Sequence, residues 1–463
     1  MGKIQHIAML AITGGLRTSP NNLLDAHAGV LPVNLMLERI CHVTIVRAAS
    51  LPAGCPTQAM IRRYSETPAK THLTPIQKLI ERFKIKPQLF ETIMPEPRPP
   101  TYKNTFTATI TDTKDELIKE EKNDNSDIKI YMDRSGYKGN VGGAAVLYRK
   151  GVEEPERVLR FHLGSLKQHT MFEGEVVGSI LAAWMLKGRP EVEKSKAISY
   201  SDSQVFIKAT GARNSGPGQY LVLEYMRLTQ VMNDGTDIPK TTGSDKFTLR
   251  WIAAHAGVKG NERVDEEAKR AAQGESSPPE ELPPILQKLL PTSAAAAKQE
   301  FAEDQKVSWL EMWKTSPRFA RFQHIDRAFP FNKFQKISDA LSRSQAGLLI
   351  QLRMGHIPLN SYLHHIKRSD TRHCTNCWDA GHGSIIETVI PRGWQNAEKR
   401  PTLVFFFSEF RLTPPHLYLP NIVCFSHAHV FFFLNLKDLR VTSNKLCMGG
   451  LPPFDQGDRK SVV

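Results

Sequence analysis

The chain has 463 residues, a hydrophobic fraction of 40% and a formal net charge of +14. This length predicts roughly two to four domains, and the positive charge favours a polyanionic partner, nucleic acid before membrane. Only two of the six cysteines, Cys374 and Cys377, are neighbours in sequence, which excludes a secreted disulfide framework and predicts an intracellular protein, nuclear or cytoplasmic. No stretch reaches the about 20 apolar residues of a membrane span, and no signal peptide or membrane association is expected.

Composition changes along the chain predict its domain organisation. Prolines cluster near residues 95–100 and an acidic, lysine-rich run follows, which is typical of an extended spacer. Trp309 and Trp313 anchor a helix-compatible pattern, whereas the C-terminal aromatic triplets show no periodicity. The predicted segments are a helical piece at 1–70, a linker at 71–123, a domain at 124–274, a linker at 275–295, a helical region at 296–372, a cysteine-containing segment at 373–389 and an irregular, disordered tail at 390–463.

The central domain begins with strand-like alternation in which Ile128, Ile130 and Met132 share one face. Three strands come first, and strands and helices alternate afterwards, an order that predicts an α/β fold with a five-stranded mixed sheet flanked by helices. The predicted strands are 128–133, 143–149, 157–163, 197–201 and 247–253, and the predicted helices cover 170–186, a segment from 202, a segment after Pro217, and 260–272.

Four carboxylates occupy positions at which they could converge. Asp133 and Asp202 end predicted strands, Glu175 borders the apolar face of a helix, and Asp265 lies on the last helix of the domain. One aspartate at a strand end is more often a turn former, but acids at the ends of neighbouring strands about 4.8 Å apart can share a cation. Hard oxygen ligands suit Mg²⁺ or Mn²⁺, two such ions can promote phosphodiester hydrolysis, and His255 in the last loop could transfer protons.

These residues, taken as a set, resemble the type 1 ribonuclease H pattern over residues 124–274. The resemblance implies a ribonuclease H-like fold and cleavage of the RNA strand of RNA–DNA hybrids. It further implies two Mg²⁺ or Mn²⁺ ions held by Asp133, Glu175, Asp202 and Asp265, with His255 assisting proton transfer or product release. The segments that carry it are Asp133-Arg134-Ser135-Gly136, Phe172-Glu173-Gly174-Glu175, Asp202-Ser203-Gln204, and His255-Ala256-Gly257 through Asn261-Glu262-Arg263-Val264-Asp265.

Four residues near the acids are predicted to touch nucleic acid. By their motif positions, Gln204 and Asn261 could read 2′-hydroxyl groups in the minor groove, and Ser135 lies in the first acidic motif. Arg134 is a departure, because the family usually has glycine after the first aspartate. Its side chain could pair with Asp133, contact a phosphate or impair the site.

The flanks resemble fungal non-LTR retrotransposon polyproteins. Residues 11–20 and 24–29 resemble the end of the reverse transcriptase, and residues 352–360 resemble a segment that follows the ribonuclease H domain. The chain would then be a fragment of such a polyprotein. The catalytic acids of the polymerase are missing, so polymerase activity is not expected.

A truncated zinc knuckle is the remaining motif. Cys374 and Cys377 have metal-ligand spacing, and His382 is a candidate third ligand. A structural zinc site needs four ligands, and no nearby residue supplies the fourth. Zinc binding is therefore not expected.

Two alternatives to a nuclease stay open. The first is a catalytically impaired module that binds nucleic acid, and the second is an inert relic of a retroelement. The expected partner is an RNA–DNA hybrid, with no small-molecule cofactor, and the sequence identifies no protein partner.

Overall fold

The computed structural model describes thirteen stretches of the chain, which form two compact units. One unit combines Met1–Met36 with Ser308–Val463, and the other is Leu37–Val307. The described residues are 1–67, 72–95, 104, 106–111, 119–121, 123–187, 197–212, 215–234, 247–253, 257–331, 333–373, 404–406 and 431–433.

Helices and strands are numbered in chain order within these ranges. The helices are α1 (Gly2–Thr13), α2 (Asn21–Ala28), α3 (Val33–Ala49), α4 (Pro56–Glu66), α5 (Pro75–Phe83), α6 (Met171–Leu186), α7 (Gln204–Gly211), α8 (Gln219–Asp234), α9 (Lys259–Ala272), α10 (Ala294–Lys314), α11 (Phe319–Ile325), α12 (Lys333–Ser338), α13 (Arg343–Met354) and α14 (Asn360–His365). The strands are β1 (Thr107–Thr109), β2 (Ile128–Tyr137), β3 (Asn140–Arg149), β4 (Arg157–Ser165), β5 (Ala197–Ser201), β6 (Phe247–Trp251), β7 (Val404–Phe406) and β8 (Phe431–Phe433).

A mixed sheet is the centre of the unit Leu37–Val307. Its strands lie in the order β1-β6-β5-β2-β3-β4. Strand β3 pairs antiparallel with both β2 and β4, whereas β2, β5, β6 and β1 run parallel to one another. Successive side chains along each strand point to opposite faces of the sheet, and helices cover both of these faces. Ile130 and Met132 pack with α6 and α8, whereas Tyr131 and Tyr200 pack with α9. This arrangement confirms the predicted α/β fold, a mixed sheet flanked by helices.

The sheet has six strands instead of the five predicted, because β1 pairs in parallel with β6. Phe106, beside this strand, is 6% exposed and its ring contacts those of Tyr225 and Phe247. Burial of this aromatic ring holds β1 against the domain. Because β1 lies between a proline cluster and a charged run, sequence alone placed it in a linker.

Both predicted linkers contain folded structure. In 71–123, helix α5 starts with a capping box between Thr74 and Gln77, and its Ile80 is buried in a cluster with Ile61. In 275–295, two short 3-10 helices, Pro279–Glu281 and Pro284–Gln287, are followed by α10. Leu282 and Leu286 of that segment are buried in the core between the sheet and α6 and α8. These segments therefore add to the core of the unit.

A close approach between α6 and β2 fixes the position of the helix. A Cβ added to Gly178 would lie 2.9 Å from the backbone oxygen of Asp133, a distance that side chains do not tolerate. Glycine at this position lets the helix backbone sit directly on the strand. The helix residues one turn earlier, including Glu175, are thereby brought next to Asp133.

The other unit is helical, with a core rich in aromatic residues. Trp309, Trp313, Phe322, Phe329 and Phe334 are buried together with leucines of α2 and α13. In the predicted irregular tail, the structure describes one antiparallel pair, β7 with β8. Among the described residues no single helix has the length and hydrophobicity to cross a membrane, and only α2 and α3 taken together, with a 49° bend between them, meet those criteria.

Candidate metal centre

Three carboxylates converge where strands β2 and β5 lie side by side in the middle of the sheet. Asp133 lies within β2, Asp202 directly follows β5, and Glu175 lies in the first turns of α6. The parallel pairing of Met132 with Ser201 places the two aspartates side by side. One oxygen atom from each of the three carboxylates lies within 4.8 Å of the others. Three residues that sequence predicted as ligands therefore form one group.

Local sequence explains how Glu175 and Asp202 are held. Helix α6 begins with a capping box, in which Thr170 accepts from the backbone N–H of Glu173 and the Glu173 carboxylate accepts from that of Thr170. Ser203 caps the N-terminus of helix α7, and its hydroxyl accepts from the backbone N–H of Phe206. Side-chain caps fix where each helix starts, so both acids sit next to rigid helix ends.

Burial and mutual repulsion disfavour the charged forms of these acids. Burial, followed by the charge of Asp202, raises the pKa of Asp133 to about 7. Burial, again followed by the charge of Asp202, raises the pKa of Glu175 to about 8. A cation among the three oxygens would remove this repulsion, and three carboxylates form the hard donor set that suits Mg²⁺ or Mn²⁺. The residues present therefore fit a divalent metal ion.

Arg134 contributes a positive charge to the same group. Its Nε donates to Oε1 of Glu175 at 2.8 Å, while its backbone N–H donates to Oδ1 of Asp133 at 2.7 Å. The side chain therefore extends to α6 and pairs with Glu175, whereas sequence analysis considered Asp133 as its partner. This charge lowers the pKa of both acids but does not cancel the effect of burial.

Asp265, the fourth predicted ligand, lies near the group but not within it. Its charge contributes to the raised pKa of Asp133. Its Oδ2 accepts from Nζ of Lys269, one turn later on α9, at 2.6 Å. Within the described part of the chain, the three-acid group is the only cluster of at least three potential ligands. The lysine offers Asp265 a cation of its own on the helix surface.

Three of the remaining predicted residues, Ser135, Gln204 and Asn261, are described by the structure. Ser135 is half-buried in β2, Gln204 is half-buried at the first residue of α7, and Asn261 is 4% exposed on α9. The Oδ1 atom of Asn261 accepts no hydrogen bond. The predictions that lie outside the described residues concern His255, Cys374, Cys377 and His382.

Sequence analysis did not single out the two glycines of α6 that form the close contact with the sheet. Gly174 and Gly178 are four residues apart and therefore lie on one helix face. A Cβ at Gly174 would meet Val141 at 2.8 Å and Cβ of Arg134 at 3.1 Å. The four-residue spacing of Gly174 and Gly178 was the signal in the sequence that could have indicated a close contact between this helix and the sheet.

No protein-family model matches the chain, and no curated protein matches it. Similar solved structures include the N-terminal RNase H domain of a Mycobacterium tuberculosis protein, with 16% identity and a TM-score of 0.24, covering 31% of this chain and 98% of that one. RNase H1 of Halobacterium salinarum has 18% identity, a TM-score of 0.23 and coverage of 32% and 98%. LC11-RNase H1, isolated from compost and solved with an RNA/DNA hybrid, has 14% identity, a TM-score of 0.23 and coverage of 31% and 98%.

Proposed function

We propose that residues 124–274 form a divalent-metal-dependent endonuclease that cleaves the RNA strand of RNA–DNA hybrids. The observation that carries the proposal is the convergence of Asp133, Glu175 and Asp202, with one oxygen of each within 4.8 Å of the others. Two of the three acids are buried, and their mutual repulsion makes a bound cation the simplest explanation for the arrangement.

The three acids would hold the metal, with Asp265 as a further ligand. When bound, divalent ions activate water and stabilise the charge that develops on a phosphodiester. The protein positions the ligands by the caps of α6 and α7 and by the glycine contact between α6 and β2. His255 would assist proton transfer, and Ser135, Gln204 and Asn261 would contact the sugar edges of the RNA strand.

The choice of an RNA–DNA hybrid rests on the motif set and on charge. The net charge of +14 favours a polyanion. The order of the acidic motifs resembles type 1 ribonuclease H, and one structurally similar protein, LC11-RNase H1, was solved with an RNA/DNA hybrid. We further propose that the chain derives from a fungal non-LTR retrotransposon polyprotein and acts inside the cell.

Arg134 favours a second candidate function, a module that binds hybrids without cleaving them. The guanidinium engages one oxygen of Glu175, and a metal ligand already paired with an arginine is less available to an ion. In this alternative the fold and the positive net charge persist, while metal-dependent chemistry is lost.

The full-length protein, incubated with a labelled RNA–DNA hybrid and Mg²⁺, distinguishes these functions. We expect cleavage of the RNA strand by the parent and by Glu303→Gln, an exposed acid on α10, but not by Asp202→Asn. Retention of the hybrid in a gel-shift assay without cleavage would favour the binding module. Neither cleavage nor binding by the parent would contradict both functions.

A further inference from the structure

Arg134 is a cation built into the carboxylate group. Its Nε lies 2.8 Å from Oε1 of Glu175, whose side chain is 6% exposed. A guanidinium carries a permanent positive charge and presents its N–H donors in a fixed planar fork. The pair therefore places a full positive charge beside an acid that the proposed function assigns to a metal ion.

Packing selects this partner for Arg134. On β2, Arg134 follows Met132 by two residues, so both side chains leave the same face of the strand, toward α6. Gly174 lies beneath the stem, where a Cβ would stand 3.1 Å from Cβ of Arg134. Because glycine leaves this space open, the side chain can cross the helix backbone and reach Glu175 one residue further. The ion pair thus follows from the shape of the strand–helix contact.

The charges of the group show what the arginine changes. Asp133, Glu175 and Asp202 carry a charge of −3 when ionised, which one divalent ion does not neutralise. Arg134 on Glu175 reduces this to −2, which one divalent ion neutralises. A second ion would then add positive charge to a buried group that is already neutral, which is electrostatically costly.

We propose that Arg134 takes the place of one metal ion, so that the site binds a single divalent ion while Arg134 is paired with Glu175. The inference rests on the proposed function in one respect, that the carboxylates hold a divalent metal. The side chain of Arg134 is 38% exposed, which leaves it a path into solvent. A second ion binds only when the guanidinium leaves Glu175.

Titration of Mn²⁺ into the metal-free, full-length protein tests this directly, with isothermal calorimetry giving the stoichiometry and electron paramagnetic resonance counting the free ion. We expect one site in the parent. In Arg134→Gly and in Arg134→Met, which keeps the apolar stem and removes the charge, we expect a second site that is at least about tenfold tighter than any second site of the parent. Arg134→Lys, which keeps the charge, should resemble the parent.

A matched control is available on β3. Arg149 donates from Nε to Oε2 of Glu156 at 2.9 Å, a pair of nearly the same geometry that involves none of the four site acids. Arg149→Met removes the same charge and should leave the Mn²⁺ stoichiometry of the parent unchanged. A second site in this variant would show that net charge, and not the place of Arg134, controls metal binding, and would overturn the inference.

Further outcomes separate this inference from the proposed function. Two sites of equal affinity in the parent, or one site in both Arg134→Gly and Arg134→Met, would overturn the inference even if the protein cleaves hybrids. The expected stoichiometries without hybrid cleavage by any variant would support the inference and contradict the nuclease. If neither the parent nor any variant binds Mn²⁺, the inference and the metal dependence both fall.

Discussion

Glu91 and the three-acid group of Asp133, Glu175 and Asp202 both lie in the unit Leu37–Val307, and they are built in opposite ways. Glu91 is 1% exposed, and its carboxylate accepts from the backbone N–H of Gly218 at 2.6 Å, the backbone N–H of Ala294 at 2.7 Å and the hydroxyl of Ser293 at 3.2 Å. Asp133, Glu175 and Asp202 instead turn carboxylate oxygens toward one another. The first acid is surrounded by hydrogen-bond donors, and the second group is surrounded by like charge.

The difference separates a structural acid from a chemical one. Gly218 precedes α8 and Ala294 begins α10, so Glu91 lies at helix N-termini, where unpaired N–H groups attract negative charge. Its bonds join three distant segments of the chain and complete the fold without any ion. In the three-acid group, Arg134 donates to both Asp133 and Glu175, and its positive charge compensates part of the negative charge. We infer that burial alone does not mark a metal site, whereas facing carboxylates do.

Replacing Asp133 with asparagine gives the largest expected effect. Loss of one ligand charge should lower the rate of hybrid cleavage by roughly 10³-fold, equivalent to about 4 kcal/mol of transition-state stabilisation. Without metal, however, the substitution removes one of the repelling charges, so the melting temperature in EDTA should stay the same or rise. Initial rates with Mg²⁺ and thermal melts in EDTA measure the two effects. A melting temperature several degrees lower would place Asp133 with Glu91 as a structural acid.

Replacing Glu91 with alanine should have the reverse profile. The change leaves two buried N–H groups and a hydroxyl without their acceptor, which should lower the free energy of unfolding by about 3 kcal/mol. Below the melting temperature, the cleavage rate per folded molecule should not change, because Glu91 is not among the metal ligands. Chemical denaturation gives the stability, and Glu91→Gln, which keeps an acceptor, should lose less. An unchanged stability of Glu91→Ala would contradict a structural role.

The pH dependence of stability should also follow from the facing carboxylates. The pKa of Asp133 is raised from 3.8 to about 7 and that of Glu175 from 4.5 to about 8, so the folded state holds protons that the unfolded state has released. Stability without metal is therefore lost as the pH rises from about 4 to about 8. The melting temperature of the metal-free protein should therefore fall by several degrees over this range.

Two comparisons assign this loss to the three-acid group, since burial raises the pKa of Glu91 as well. Burial is the largest cause of the raised pKa of Asp133 and of Glu175, and the charge of Asp202 is the second. Asp202→Asn removes that charge and should make stability depend less on pH. Saturating Mg²⁺ should restore stability at pH 8 in the parent. Thermal melts between pH 5 and pH 8 measure these changes, and the same slope in the parent and in Asp202→Asn would show that the acids do not repel one another.

The fold was largely predictable because its strands and helices carry clear periodicity. The alternation of Ile128, Ile130 and Met132 predicted β2, and the capping box at Thr170 and Glu173 agrees with a helix predicted to start near 170. Strand β1 could not be predicted, because three residues carry little propensity and their strand depends on pairing with β6, about 140 residues away. Long-range pairing of this kind is invisible to a local pattern.

The sequence was sufficient to predict which acids form the site, but not which acid the neighbouring arginine pairs with. Asp133, Glu175 and Asp202 lie in recognisable motifs, whereas the partner of Arg134 depends on the missing side chain of Gly174 on a different element. Glu91 gave no signal, because its donors Gly218 and Ala294 lie 127 and 203 residues away. Sequence identifies residue types suited to a site, and packing decides which charges meet.

The ion pair of Asp265 with Lys269 should have the smallest effect, because it lies outside the buried group. The two side chains are 23% and 55% exposed, and a solvent-exposed pair one helical turn apart contributes below about 0.5 kcal/mol. Lys269→Met should therefore leave the melting temperature within about 1 °C of the parent. Denaturation of this variant beside Glu91→Ala compares an exposed acid with a buried one. A loss above 1 kcal/mol, beyond the range for exposed pairs, would contradict the placement of Asp265 and Lys269 as a surface ion pair outside the three-acid group.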